Sequence, residues 1–363
     1  MAIKGQLTIF TIHFMAINIT NSTIVCVKLI CNHRFYWSFS ATFNSMLINM
    51  KSLLLLLSLF STMLLMSQSL SWNNEKIIVT ANGTKNTLLN AESIFADGWD
   101  ELAQARFWQK IMLLSPDSCI ISVASTRQIL GYTSVRKWES QSEIEKAAYK
   151  TTLKAVNNIP LDERIYITTG KNDFYKFRDV FHSLSKGVAV FEKNGVDPWY
   201  AQSILLIESP GQLKKSVAGA YGAFQLMPSV AKKYGLIVNT SIDERANFDK
   251  SALAASKLIS TVCIPEAKKI LNRHNITYKE SDLWFRLFVM HCYHAGAMNV
   301  SAVVDKIKPT KGSKDLILKM WTTTAASFGN NSQNYSQLIL AAQIILNDMI
   351  YAECDDIVHC GTK

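Results

Sequence analysis

The chain has 363 residues, of which 48% are apolar and 18% are charged, and its formal net charge is +10. These values exclude a disordered chain and fit a globular protein of one large domain or two ordinary ones. The basic residues are scattered, and the sequence contains no recognisable nucleic-acid-binding module. We therefore do not expect nucleic acid as a partner.

The first 72 residues contain no aspartate or glutamate. Within them, a basic start at Met50 precedes an apolar run over residues 53–66, and small polar residues follow. This order is typical of a secretory signal peptide, whereas an uncleaved membrane anchor usually has a longer apolar run. We expect residues 50–71 to be a cleaved signal peptide and residues 1–49 to be a non-native upstream extension.

Export to the periplasm or the cell envelope follows from this interpretation. Without the first 72 residues the formal charge falls from +10 to +6, because that segment holds four basic residues and no acid. A mildly basic exported protein suits an anionic partner such as the cell wall or a membrane surface. Peripheral association with the cell envelope is therefore left open.

Five cysteines follow the predicted signal peptide: Cys119, Cys263, Cys292, Cys354 and Cys360. In an exported protein they can form disulfides, and a bond between Cys354 and Cys360 is the simplest pairing because the two are close in sequence. Buried free thiols are the alternative. An odd number leaves at least one cysteine unpaired.

Residues 72–180 are predicted to be a mostly helical N-terminal region. The sequence indicates an amphipathic segment at residues 107–112, a helix over residues 143–156, and short strands near residues 120–123 and 165–167. No repeat or motif occurs here. We expect the region to pack on the domain that follows, and its sequence indicates no separate function.

Glu208 ends a predicted helix that begins at Asp197-Pro198, an N-cap followed by a first-turn proline. That helix is largely apolar, and its C-terminal end is the negative end of the helix dipole. Both features penalise a carboxylate, so we expect a raised pKa and a group that can act as a general acid near neutral pH. The alternative is an ordinary surface glutamate at a helix end, and the residues that follow favour the catalytic interpretation.

Gly219 and Gly222 frame a short segment in which the backbone can turn tightly or approach a ligand. Pro228 then begins a helix that ends at Gly235. Three further helices are predicted downstream, one capped by Asp249 and followed by Pro265, one beginning at Asp282, and one over residues 335–349.

An ordered set of residues in this part of the chain carries a family resemblance. The set comprises Glu208-Ser209, Ser216, Gly219-Ala220, Gly222, Gln225-Leu226-Met227-Pro228, Tyr234-Gly235-Leu236, Asp243-Glu244-Arg245 and Tyr293-His294-Ala295-Gly296. It resembles the signature of the lytic transglycosylases of the soluble type, the SLT family, and is most similar to the membrane-bound murein transglycosylase D branch. The resemblance covers about a third of the chain.

The resemblance implies an all-α fold, with a lysozyme-like SLT domain at residues 181–305 and a C-terminal helical region at residues 306–363. Two departures from the family pattern stand out. The segment before Ser216 is one residue shorter than usual, and His294 occupies a position where the family has asparagine.

The resemblance also implies an activity on peptidoglycan glycan strands. Glu208 would protonate the β-1,4 bond between N-acetylmuramic acid and N-acetylglucosamine, then accept the proton of the muramoyl 6-hydroxyl, giving a 1,6-anhydro end without water. Ser216 and Gln225 would hydrogen-bond the glycan, and Tyr293 would position Glu208 or the substrate acetamido group. The residues that would shape the groove are Gly219, Gly222 and Met227. No cofactor is implied.

Other interpretations remain for these residues. Ser216 and Gln225 can cap local backbone, and Met227 and Tyr293 can belong to the core. His291, Cys292 and His294 have no companion carboxylate or second ligand pair, so no metal site is expected. The alternative functions are a peptidoglycan hydrolase of the goose-type lysozyme kind and a non-catalytic peptidoglycan-binding scaffold. The oligomeric state is left open.

Overall fold

The structure is a computed structural model that describes residues 72, 74–81, 84–208, 213 and 215–360, together with four short upstream strands. For those four strands, Ala81 and residues 353–360 it describes the backbone alone. The upstream strands are β1 (Lys4–Thr8), β2 (Thr11–Phe14), β3 (Val27–Ile30) and β4 (Arg34–Ser38). Strand β1 pairs antiparallel with β4, and β2 with β3. The predicted signal peptide and most of the predicted extension lie outside the described residues.

The N-terminal region contains two small sheets and four helices. Its elements are β5 (Lys76–Ala81), β6 (Thr84–Leu89), α1 (Glu92–Ala96), α2 (Ala103–Leu113), β7 (Ser118–Val123), β8 (Ile129–Ser134), α3 (Val135–Glu139), α4 (Glu143–Val156) and β9 (Ile165–Thr169). Strands β5 and β6 form an antiparallel hairpin, and the second sheet is antiparallel with strand order β8-β7-β9. The two strands predicted from the sequence are β7 and β9.

Local sequence explains the two longer helices of this region. Helix α2 buries Phe107, Trp108, Ile111 and Met112, the apolar set recognised in the sequence. Helix α4 begins at a capping box in which Ser142 and Glu145 satisfy each other's backbone N–H groups, and it has the predicted bounds.

The remainder of the chain is helical, and the prediction of a mainly α, lysozyme-like fold is confirmed. The helices are α5 (Phe181–Lys193), α6 (Pro198–Glu208), α7 (Pro228–Lys233), α8 (Phe248–Leu258), α9 (Ile264–Arg273), α10 (Leu283–Ala295), α11 (Ala297–Ile307), α12 (Lys314–Thr322) and α13 (Asn330–Cys360). Helix α13 extends beyond the predicted residues 335–349 at both ends.

One further helix boundary differs from the predictions. Helix α8 is capped by Asn247, whose side chain accepts a hydrogen bond from the Lys250 N–H at 3.0 Å, so the predicted cap Asp249 lies inside the first turn. Pro265 lies beyond α8, as predicted. The helical conformation continues through it, because a π-helical turn at Ile259–Cys263 leads directly into α9 and places the proline in the first turn of α9.

Helices α6 and α10 form the centre of the fold. Residues 198–207 of α6 and 283–292 of α10 are buried on all sides, and α13 packs against α2, α6 and α10. One continuous apolar core joins these helices to α2 and the β5–β6 hairpin. The N-terminal region is therefore part of the same core as the segment that carries Glu208.

Buried polar contacts attach the β5–β6 hairpin to α6. Arg286 of α10 is fully enclosed and pairs with Glu75 through two hydrogen bonds of 2.9 and 3.0 Å and with Asp197 at 2.8 Å. Asp197 in turn accepts the backbone N–H of Trp199 and caps α6. The side chain of Gln202 accepts the N–H of Leu89 at 2.9 Å and donates to the carbonyl of the same residue at 3.0 Å.

The cysteines whose side chains are described, Cys119, Cys263 and Cys292, are free and buried. This agrees with the alternative of buried thiols for these three. The side chains of Cys354 and Cys360 lie outside the described residues, so their predicted pairing stays a prediction. Within the described part of the chain, every helix is too short or too polar to cross a membrane.

Candidate active site

Glu208 is the last residue of α6, and its side chain is half-buried. Burial raises the pKa of its carboxyl group from 4.5 to about 7, against the smaller opposing effect of a hydrogen bond from Tyr335. The hydroxyl of Tyr335 donates to Glu208 Oε1 at 2.8 Å. Glu208 therefore combines partial access with the ability to hold or release a proton near neutral pH.

Tyr335 lies in the second turn of α13 and is buried. Tyr335 was predicted to begin the last helix of the chain, and no role in the site was predicted for it. Its ring stacks on the imidazole of His294, with centroids 4.2 Å apart and an interplanar angle of 18°. His294, at the position where the family has asparagine, therefore contacts the hydrogen-bond partner of Glu208.

Ser216 closes the first tight turn that the structure describes after α6. Its hydroxyl accepts the N–H of Ala220 at 2.9 Å, and its own N–H donates to the Ala220 carbonyl at 2.8 Å. Gly219, in the same turn, has a φ of +90°, which favours glycine. These contacts agree with the backbone-capping alternative for Ser216.

Gly222 and Gln225 belong to a second tight turn, closed by a bridge between Tyr221 and Leu226. Gly222 has a φ of +86°, and a Cβ atom there would lie 2.0 Å from the carbonyl oxygen of Arg245. Only glycine fits this position. Gln225 also has a positive φ of 45°, and its side-chain amide donates to the Gly222 carbonyl at 3.1 Å.

Arg245 holds the two turns together from beneath. Its buried guanidinium donates to the carbonyls of Gly219 and Leu226 at 2.7 and 2.8 Å, and Asp243 accepts two further bonds at 2.8 and 2.6 Å. The sequence signature contained both residues but indicated no role for them. A bidentate ion pair fits this position because it leaves guanidinium donors free for backbone carbonyls.

Tyr293 and Met227 are the two remaining residues predicted for the site. The hydroxyl of Tyr293 donates to the carbonyl of Phe224 at 2.5 Å, so it holds the turn that contains Gln225. The hydrogen bond to Glu208 comes from Tyr335. Tyr293 lies near the same carboxyl group, and burial and the charge of Glu208 both raise the pKa of the Tyr293 hydroxyl. Met227 precedes α7 and is 40% exposed, which places it at a surface a ligand can reach.

The part of the chain that contains Glu208 and the two turns is similar to a known protein family. Residues 189–316 match the family model described as the transglycosylase SLT domain. The chain carries a transglycosylase SLT domain. No curated protein and no solved structure matches the chain. The SLT domain includes every site residue predicted from the sequence and overlaps the predicted domain at residues 181–305.

Tyr335 lies beyond the C-terminal limit of the SLT domain. The domain supplies the carboxyl group and the two turns, while α13 supplies the hydroxyl that contacts the carboxyl. Nothing in the SLT signature identifies Tyr335. The available sequence signal was weak, a tyrosine at the edge of a long amphipathic helix.

His291 of the SLT domain is fully buried and its Nε2 lies 2.9 Å from the hydroxyl of Ser336. That hydroxyl also accepts the indole N–H of Trp321 at 2.7 Å. Burial lowers the pKa of His291 to about 3, which keeps the imidazole neutral. In the described part of the chain, no three His, Cys, Asp or Glu side chains are grouped in a way that could hold a metal ion.

Proposed function

We propose that the protein is a peptidoglycan lytic transglycosylase that cleaves the β-1,4 bond between N-acetylmuramic acid and N-acetylglucosamine without water. The observation that carries the proposal is Glu208, which lies in the SLT domain with a pKa of about 7. No other carboxylate of the described residues lies near enough to shift that pKa. A single carboxyl group with a pKa near 7 can serve first as the acid and then as the base, and Glu208 is such a group.

In the first step, protonated Glu208 donates its proton to the glycosidic oxygen as the bond breaks. Most glycosidases need a second carboxylate about 5 to 9.5 Å from the acid, as nucleophile or as base for water. No second carboxylate of the described chain is among the groups that shift the pKa of Glu208. In the mechanism that the family resemblance implies, the acetamido group of the substrate stabilises the developing cation at the anomeric carbon.

In the second step, the Glu208 carboxylate accepts the proton of the muramoyl 6-hydroxyl. The oxygen of that hydroxyl then bonds to the anomeric carbon. The product is a 1,6-anhydro ring, and Glu208 is protonated again. The hydrogen bond from Tyr335 stabilises the intervening carboxylate. A pKa near 7 allows the same group to donate and to accept, because neither protonation state is strongly preferred.

The two turns after α6 form the wall of the proposed glycan groove. Arg245 and Tyr293 hold the carbonyls of these turns, so the wall is rigid before substrate binds. Met227 offers an exposed apolar surface to a sugar face, and Gln225 presents a polar side chain nearby. The proposed substrate is a glycan strand of peptidoglycan, and the family branch proposed is that of murein transglycosylase D.

Such a substrate requires the protein to act outside the cytoplasm. We therefore propose export by the segment at residues 50–71 and an action in the periplasm or at the cell envelope. The net positive charge of the remaining chain supports binding to an anionic wall.

Mass spectrometry of purified murein sacculi digested by the protein tests this function. Wild-type protein and Glu139→Gln, a change at an exposed glutamate, are expected to release anhydro-muropeptides, and Glu208→Gln is expected to release none. Products heavier by one water would assign the protein to the lysozyme-type hydrolases. Binding to sacculi without any soluble product from wild type would support a scaffold and contradict the proposal.

A further inference from the structure

Three side chains that surround Tyr335 in sequence are each fixed by a different element. Asn334 accepts a hydrogen bond from Arg127 at 2.7 Å, and Gln337 accepts one from the indole N–H of Trp108 at 3.1 Å. Ser336 accepts the indole N–H of Trp321 at 2.7 Å. Two of the three donors, Arg127 and Trp108, lie in the N-terminal region, upstream of the SLT domain.

These contacts determine the rotation of α13 about its axis. Successive side chains of an α-helix point about 100° apart, so anchors at three neighbouring positions hold the helix from several directions. The remaining direction is that of Tyr335, whose hydroxyl meets Glu208. A small rotation would lengthen that hydrogen bond beyond its useful range of about 3.2 Å.

Arg127 has two features that are costly for stability. Arg127 is 6% exposed, and its guanidinium forms no ion pair with a carboxylate of the described chain. The guanidinium lies 5.2 to 5.7 Å from the ring centroids of Phe107, Trp108 and Tyr166. Its backbone φ is +60°, a left-handed conformation that costs a non-glycine residue free energy. Arg127 keeps this conformation in a short turn. Among the described residues, the hydrogen bond that its side chain donates goes to Asn334, the residue before Tyr335.

We propose that Arg127 is a positioning residue of the active site, which acts through Asn334 and α13 to keep the Tyr335 hydroxyl on Glu208. The N-terminal region thereby has a function: it supplies the supports that align a helix outside the SLT domain with the acid inside it. The proposal rests on the proposed function only in taking Glu208 as the acid–base group.

The test measures the pKa of Glu208 by carboxyl ¹³C NMR in the full chain, a readout that needs no turnover. Tyr335→Phe removes a hydrogen bond to the carboxylate and is expected to raise the pKa of Glu208 by about one unit. Arg127→Met is expected to raise it in the same direction. Trp108→Phe, which deletes the indole donor and leaves a smaller ring in the core, is expected to produce a smaller rise.

The double variant separates positioning from a direct charge effect. If Arg127 acts through Tyr335, Arg127→Met adds nothing in the Tyr335→Phe background. Arg127→Lys, which keeps a donor for Asn334, is expected to restore part of the loss. A folded Arg127→Met protein with an unchanged pKa of Glu208 would overturn the proposal. So would a double variant in which the pKa of Glu208 lies above its value in Tyr335→Phe alone.

The NMR result also separates this proposal from the proposed function. Absence of anhydro products from wild-type protein would refute the lyase activity, whereas the pKa of Glu208 in the variants reports on positioning alone. Arg136→Met, a change at an exposed arginine of α3, is the matched control and is expected to leave that pKa unchanged. Melting temperatures measured on each variant show whether it is folded.

Discussion

The Tyr335 hydroxyl donates to the Glu208 carboxyl at 2.8 Å across 127 positions of sequence. Burial raises the pKa of Glu208 to about 7, and this hydrogen bond limits the rise. The two effects together set the pH range in which the group can act as an acid and then as a base.

Activity of the wild-type protein is expected to fall as pH rises above about 7, because the first step needs protonated Glu208. In Tyr335→Phe the pKa rises further, so the alkaline limb of the pH–rate profile moves to higher pH while the maximal rate drops about tenfold. Release of soluble muropeptides at a series of pH values measures both. Tyr278→Phe, at a ring stacked on Phe285, serves as the control. An unmoved limb in Tyr335→Phe would contradict the assignment.

Glu208→Gln is expected to abolish lysis and to stabilise the fold at alkaline pH. The folded pKa lies above the ordinary value of 4.5, so between pH 4.5 and 7 the folded state keeps a proton that the unfolded state releases, and stability falls as pH rises through this window. The glutamine variant escapes a loss of about 3 kcal/mol.

Urea unfolding at pH 4 and at pH 8 checks this stability difference. Wild type and Glu208→Gln should agree at pH 4 and differ at pH 8, with the variant the more stable. Equal stabilities at both pH values would mean that burial does not raise the pKa of Glu208.

Gly222→Ala and Gly219→Ala form a matched pair, since both positions have a φ near +90°. At Gly222 the added methyl group meets the Arg245 carbonyl oxygen at 2.0 Å, whereas nothing lies within 4 Å at Gly219. We expect a loss of about 3 kcal/mol for Gly222→Ala and about 1 kcal/mol for Gly219→Ala. Thermal or chemical unfolding compares them, and similar losses would show that the contact with Arg245 is not decisive.

Tyr293→Phe is expected to weaken substrate binding without moving the pH–rate profile. Its hydroxyl holds the Phe224 carbonyl in the turn that contains Gln225, and it makes no hydrogen bond to Glu208. The KM for glycan strands should rise several-fold while the alkaline limb stays in place. A moved limb would show that Tyr293, and not only Tyr335, controls the carboxyl group.

The residues predicted for the site belong to one continuous pattern. Glu208, the glycines and Tyr293 could be predicted because they follow one another in a recognisable order along about a hundred residues. The fold class followed from the same stretch and from the apolar periodicity of its helices. Local capping was predicted correctly at Asp197 and wrongly at Asp249, where Asn247 two residues earlier offers the competing cap.

Contacts between distant segments were not predictable in this way. No local pattern links Tyr335 to Glu208 or Arg127 to Asn334, because these pairs form only when α13 packs on the rest of the core. The backbone role of Ser216 likewise depends on a turn geometry that the residue type does not fix. Fewer strands were predicted in the N-terminal region than the structure contains. The β5–β6 hairpin was missed because it is stabilised by its packing on the helices and not by a local sequence pattern.

The side chain of Gln202 takes the place of a neighbouring strand along β6. Its amide satisfies both the N–H and the carbonyl of Leu89, and it also donates to Gln343 at 2.8 Å. An unpaired strand edge can recruit strands from other molecules, and a two-stranded hairpin alone is barely stable. By occupying that edge from within the helical core, Gln202 protects the folded chain against strand pairing with other molecules at this point.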